Sequence, residues 1–416
     1  MAGIGRSTAG TDGIPDTSGV RGRLLVVLGA LSAFGPISTD LYLPALPEAA
    51  TDLSTTPAGA QATLVVSMIG LGLGQLVMGP LSDRFGRRRP LLAGLVLFTV
   101  ASVACAFAPS VAVLVVCRLL QALGGSAGVV IARAVVRDRC SGPRLVSVFA
   151  VLTVVVGLGP VIAPLLGSAI LLVGTWRTVF AVLAVIGALL VISTAAWVGE
   201  SLPADRRTAG GLGGAFVSYR VLFGDLRFLL VIGTGAAGFG SLFAYITGSP
   251  FALQVVHGCP PAVFSAVFAI NGLCLMACAR WVRFADPVRQ MACGAGVLVV
   301  ASVAMIGAGS SGALIPLLLG FALIASSWGI IGPSVTALAL QRHPERAGAA
   351  AAMLGALQFV VGAVAGSLVG HGADAGVTAL VAVVVGATIC FVTLVVAVWM
   401  GERGTRHTAD AGKPGA

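Results

Sequence analysis

An all-α integral membrane protein is predicted, with twelve transmembrane helices arranged as two six-helix bundles around a central cavity. Three observations predict it. Of the 416 residues, 57% are hydrophobic and only 10% are charged, whereas soluble chains carry roughly 25% Asp, Glu, Lys and Arg. Apolar stretches of about 20 residues, the length that crosses a bilayer, recur between short polar breaks. The longest polar interruption, "ESLPADRRTAGGLGGAFVSYRVLFGD" from Glu200 to Asp225, divides the chain into halves with room for six spans each.

Residues 1–20, rich in Gly, Ser and Thr, contain no apolar h-region and read as a disordered cytoplasmic tail rather than a cleaved signal peptide. The first bundle, 21–199, takes spans at 24–46, 60–79, 90–108, 111–134, 145–172 and 176–198. A cytoplasmic loop, 200–225, leads to the second bundle, 226–401. Its spans fall at 228–249, 261–281, 288–308, 313–340, 348–370 and 375–400, and 402–416 is a second cytoplasmic tail.

The net charge of +10 invites a nucleic-acid reading, and the placement of the basic residues decides against it. With a cytoplasmic N-terminus, Arg84, Arg87, Arg88, Arg89, Arg137, Arg139, Arg144, Arg206, Arg207, Arg220, Arg283, Arg342, Arg346, Arg403 and Arg406 all fall on one side. Arg118 and Arg177 alone depart from the pattern. This is the positive-inside rule for twelve spans with both termini in the cytoplasm, so the basicity reports topology. The eight cysteines lie mostly within spans, with no C-x-x-C and no neighbouring histidine, and read as small packing residues; no metal site is expected. His257, His343, His371 and His407 fall in loops or the tail, and no G-x-x-x-x-G-K-[ST] occurs. Neither an intramembrane enzyme nor an ATP-driven pump fits, and no cofactor is expected.

Candidate site residues are the polar and aromatic groups that spans should not hold without cause. Asp40 stands near the outer end of the first span, where a charge costs at least ~2.5 kcal/mol. Arg118 lies at comparable depth in the fourth span and should face an acid or a watery cavity, unless it snorkels outwards. Asp40 has two plainer readings: a cap on a helix segment broken by Pro44, or a place in the outer interface. Tyr42, Gln121, Tyr245, Phe251, Phe268, Asn271, Gln358 and Phe359 are further cavity candidates. Asn271 and Gln358 lead among them, because an amide inside a span needs a partner. Pro160 and Pro164, four residues apart, remove helix hydrogen bonds and bend the fifth span, and Gly159 and Gly167 admit a close neighbour.

Between the second and third spans, "GPLSDRFGRRRP" (79–90) resembles the G-x-L-a-D-r-x-G-r-k signature of the major facilitator superfamily, matched at Gly79, Leu81, Asp83, Arg84, Gly86, Arg87 and Arg88. The resemblance implies a conformational latch whose aspartate engages the partner half in the outward-facing state. "RLLQALGG" resembles the R-x-x-Q-G signature of drug/proton antiporters at Arg118 and Gln121, with Ala122 in place of glycine. "GLGPVIAPLLGS" resembles the antiporter signature g-x-x-x-G-P-x-x-G-G at Gly159, Pro164 and Gly167, but Ala163 and Ser168 replace two of its glycines. "STDLYLPALP" and "ITGSPF" are similar to the bicyclomycin and chloramphenicol resistance (Bcr/CflA) type of twelve-span antiporter, a resemblance extending over most of the chain from Leu24 to Met400.

The resemblance implies an exporter that exchanges inbound protons for a small, mainly hydrophobic antibiotic, with the major facilitator fold. Asp40 would bind the proton, with Arg118 beside it. Some relatives carry a second acid where this chain has Ser32, which leaves Asp40 as the coupling carboxylate. A carrier for an endogenous sugar, amino acid or natural product is the alternative, and composition does not separate the two. The expected partners are the drug, protons and the lipid bilayer of a bacterial plasma membrane, with no nucleic acid and a monomeric assembly; the proton gradient is the energy source.

Overall fold

The structure is a computed structural model that describes residues 22–207, 219–282, 286–343 and 346–370. The span expected at 375–400, both tails and residues 208–218 and 283–285 of two loops lie outside the described residues, with His371, His407, Arg283, Arg403 and Arg406. The elements are α1 (Gly22–Asp40), α2 (Leu46–Asp52), α3 (Pro57–Phe85), α4 (Arg88–Ala106), α5 (Val111–Arg139), α6 (Gly142–Leu171) and α7 (Trp176–Trp197). The second half holds α8 (Leu226–Pro250), α9 (Pro261–Trp281), α10 (Pro287–Ser311), α11 (Leu314–Arg342) and α12 (Ala347–Gly370). No strand occurs among the described residues.

Helices α3 to α12 are each long and apolar enough to span a bilayer, where every backbone group must be bonded within the segment. The first span is a bent pair, Gly22–Gly35 and Ile37–Asp52, which meet at 52°. The bend thus falls at Pro36, and the span runs past its expected end at 46. Pro44 interrupts it more gently: it sits in the first turn of a 3-10 segment, Leu43–Ala45, where no N–H is required of it. Side chains close the helix starts at the water-facing ends. Thr56 Oγ1 accepts from Gly59 N at 3.2 Å to cap α3, and Asp225 accepts from the N–H groups of Arg227 and Phe228 to cap α8. Each cap satisfies donors that the helix itself leaves open.

Large apolar side chains such as Val26, Val100, Leu172 and Ile192 lie exposed around the periphery, the surface that lipid covers. Inside, α5 is the hub of the first half, packed on α1, α3 and α4. It can be, because small residues let backbones close in: a Cβ on Gly124 would stand 2.5 Å from the Gly94 carbonyl oxygen and 2.6 Å from Phe98 N. In the second half α8, α9 and α10 pack on α11, and α12 on α8. The halves meet where α3 packs on α12 and α6 on α9.

Candidate functional site

Arg118 is 1% exposed and lies wholly inside the first half. Its Nη1 donates to Gln121 Oε1 at 2.6 Å, and Gln121 Nε2 donates to Ser102 Oγ at 2.7 Å. One helical turn separates the arginine and glutamine, which places both on the face of α5 toward α4. The guanidinium lies 5.4 Å from the Tyr42 ring and 5.6 Å from the Phe180 ring. Its Nε and Nη2 have no hydrogen-bond partner among the described residues. Cation–π contacts contribute about 0.5–2 kcal/mol each, less than the several kcal/mol that burying a cation costs. The site therefore holds a cation without a countercharge among the described residues.

Asp40, the last residue of α1, is buried and makes no hydrogen bond or ion pair with a described residue. It is not paired with Arg118, whose bonds run to Gln121. Nor does it act as a cap: the 3-10 segment that follows has no side-chain cap bond. Its charge is within electrostatic reach of Tyr245, across the seam between the halves. There Asn271 Nδ2 donates to the Tyr245 hydroxyl at 3.0 Å. The Tyr245 ring stacks on Phe268 at 5.5 Å and leans on Phe321 at 4.8 Å, and Phe264 backs Phe268 at 5.8 Å. Thus Tyr245, Phe268 and Asn271 come together on the second half, on the two helices that the segment Leu43–Ala45 just after Asp40 packs against.

The other candidates separate. Tyr42 and Gln121 are fully buried around Arg118. Phe251 is buried at the start of the π-helical turn Phe251–Val256 that ends the span of α8. Phe359 packs with Phe239 at 5.7 Å and against Gly72 of α3, whose Cβ position is 3.2 Å from Phe359 Cβ. Gln358 is half-buried on the same helix.

The glycine–proline stretch of α6 is where this helix touches two others. A Cβ on Gly159 would lie 3.1 Å from Ile37 of α1, and one on Gly167 would collide with the Leu41 carbonyl oxygen. On the other side, Ser265 Oγ donates to the Pro164 carbonyl at 2.8 Å, and the Cβ position of Gly272 is 3.6 Å from the Pro160 carbonyl carbon. This bond has company. Gln61 Nε2 donates to the Thr247 carbonyl at 3.2 Å, and Gln254 Nε2 to the Pro44 carbonyl at 3.2 Å. All join the two halves at the end of the molecule away from the arginine-rich loops.

At the arginine-rich end, the following polar contacts between described residues lie within one half. Arg87 pairs with Asp83, with Asp138 at 3.0 Å and with Ser82 Oγ at 2.8 Å. Burial opposes the charge on Arg87, but Asp138 and Asp83 outweigh it and hold the guanidinium above its ordinary pKa. The Glu200 carboxylate accepts from the N–H groups of Arg87, Arg88, Ser201 and Leu202, which overcomes its partial burial and lowers its pKa. Gly86 turns the chain there at φ 85°, and a Cβ would meet Glu200 and Arg207. Arg84 lies over the Phe85 ring at 5.2 Å, and Gly79 faces Val130. In the second half, Arg342 and His343 both bond Asp225; these bonds and the Phe228 N–H overcome its burial and hold its pKa at about 2. Arg177 is accounted for at the opposite end: it pairs with Asp52, which also accepts from the Trp176 indole at 3.0 Å.

Sequence reasoning missed Gln61, Gln254, Ser265, Ser102, Phe180, Phe264 and Phe321. The amides were findable, because each is a polar group in or beside a span that must be bonded. The phenylalanines carry no such mark, since a ring inside a span is usually packing.

A family model described as Major Facilitator Superfamily matches residues 28–367. An uncharacterized MFS-type transporter, YdgK, of Bacillus subtilis (strain 168) is 36% identical over 90% of this chain and 93% of its own length. A bicyclomycin resistance protein homolog of Haemophilus influenzae is 28% identical over 83% of this chain and 88% of its own. Among solved structures, a mutant of the nucleoside transporter NupG superposes with a TM-score of 0.72 at 13% identity, covering 90% of this chain and 98% of that one. The helical architecture, the latch signature and these matches agree that the chain belongs to the major facilitator superfamily, a family of membrane transporters and not of enzymes.

Proposed function

We propose that the protein is a proton-coupled antiporter that exports small, mainly hydrophobic drugs of the chloramphenicol or bicyclomycin kind across a bacterial plasma membrane, as a monomer with both termini in the cytoplasm. The relative named for bicyclomycin resistance supports the substrate class. A single observation carries the mechanism: Asp40 is buried with no countercharge among the described residues, just before the segment that packs on the helices of the Tyr245–Asn271 pair and its phenylalanine wall. A carboxyl so placed is costly when ionised and inexpensive when protonated. Rocking the halves changes its exposure, and a site whose proton affinity differs between two states couples the gradient to transport. With the arginine loops in the cytoplasm, the bonds at the far end seal the outer side, and the conformation is inward-facing. Asp83 then rests on Arg87 of its own half, as expected of a latch that is not engaged.

The test is export of chloramphenicol from proteoliposomes with an imposed pH gradient. Asp40→Asn is expected to abolish uphill export while leaving downhill leakage, and Asp40→Glu to retain part of it. Unchanged uphill export in the Asn variant would remove Asp40 from the mechanism.

A further inference from the structure

Arg133 lies in the part of α5 nearer the arginine-rich loops. It is accessible to solvent although protein crowds it, and it makes no hydrogen bond, ion pair or ring contact with a described residue. Helical spacing sets its direction. Ser126, Val129 and Val130 share its face; they sit against Gly74, Gly35 and Gly79 respectively. The lipid-exposed Val113 and Leu120 lie on the opposite side of the helix at about 100° per residue. Arg133 therefore emerges between α1 and α3, not into lipid, on the side where α3 meets the second half. At that meeting Gln75 Oε1 is 3.3 Å from the Cβ position of Gly355, and Gln358 stands one turn beyond Gly355 on the same face of α12. Both glutamines are half-buried and unbonded to any described residue.

Charge decides what this stretch of the seam takes. Among the described residues, Asp40 is the one acid that a span carries away from its terminal turns, and it lies toward the sealed end. Arg133 and Arg118 are both without an acid. A water-accessible guanidinium walled by apolar helices recognises carboxylates and other oxygen acceptors by forked hydrogen bonds. It repels cations in the same low-dielectric setting.

We propose that Arg133, with Gln75 and Gln358 deeper along the same seam, forms an anion-recognition site at the open end, so that the protein takes small organic anions and rejects lipophilic cations. The proposal deepens the export reading and rests on it for its transport consequence.

Three probes separate the outcomes: neutral chloramphenicol, anionic chloramphenicol succinate on the same skeleton, and the cation tetraphenylphosphonium. Binding to the full chain in detergent and export from proteoliposomes are measured for wild type, Arg133→Ala and Arg133→Lys. Arg133→Ala is expected to weaken succinate binding by about tenfold or more, Arg133→Lys to restore part of the loss, and chloramphenicol binding to stay within about twofold throughout. Tetraphenylphosphonium is expected not to compete. Succinate binding indifferent to Arg133, equal loss for both chloramphenicols, or tight binding of the cation would overturn the proposal. Failure of wild type to export chloramphenicol overturns the export reading instead, while the binding measurements still judge Arg133.

Discussion

Arg118 is expensive where it stands, and that expense is what makes it a candidate for function rather than packing. One charge-assisted bond to Gln121 and two ring faces leave two donor nitrogens unbonded in an interior where an unpaired cation costs several kcal/mol. Replacing it by a well-packed apolar residue removes that cost. Arg118→Met is therefore expected to raise the unfolding temperature in detergent by a few degrees, of the order of 1–4 kcal/mol, while abolishing uphill export. A lower unfolding temperature would show that the guanidinium holds the bundle together and is there for structure. Asp40 is the complementary case, a buried acid with no partner among the described residues. From the sequence the two are expected side by side; in this conformation neither has a countercharge among the described residues.

The helices are held by two devices that respond to different perturbations. Where α4 and α5 cross, backbone atoms nearly touch at Gly94 and Gly124. Gly124→Ala must push the helices apart, and a cost of about 1–3 kcal/mol is expected, read as a lower unfolding temperature. At the start of α8 the device is electrostatic: Asp225 caps the helix and gathers Arg342 and His343 from the end of α11. Its pKa in the folded protein, about 2, lies below the ordinary value near 3.9. The stabilisation is thus fully present above about pH 4 and is lost as pH falls from there toward 2, on the order of 2 kcal/mol in all. Asp225→Asn should lower stability at pH 7, with the difference from wild type narrowing below pH 4. A gap that persists at low pH would assign the effect to packing.

At the scale of the whole molecule, the distribution of polar bonds defines the state. Bonds between halves gather at one end, through Gln61, Gln254 and Ser265, whereas at the arginine-rich end the bonds of Asp83, Asp138 and Asp225 run within their own halves. A cysteine pair at Gln61 and Thr247, in a background without the native cysteines, is expected to cross-link readily, to arrest transport and to release it on reduction. Absence of cross-linking in both the presence and absence of a gradient would show that this end does not close. Under the proposed coupling, each proton entering down a 100 mV potential would supply ~2.3 kcal/mol, enough for roughly fifty-fold accumulation, so one coupling acid per cycle would suffice.

Eleven spans, their order and their approximate limits were legible in the sequence, because a bilayer imposes one length and one polarity on anything that crosses it. The arginine pattern and the latch signature were legible for the same reason: they are local in the chain. Asn271 was legible as a residue needing a partner, but not that the partner is Tyr245. The bend at Pro36 rather than Pro44, the separation of Asp40 from Arg118, the sealing bonds of Gln61 and Gln254, and the direction of Arg133 were decided only by the tertiary structure. Each depends on which helix lies across from which, and residues distant in the chain become neighbours only through packing.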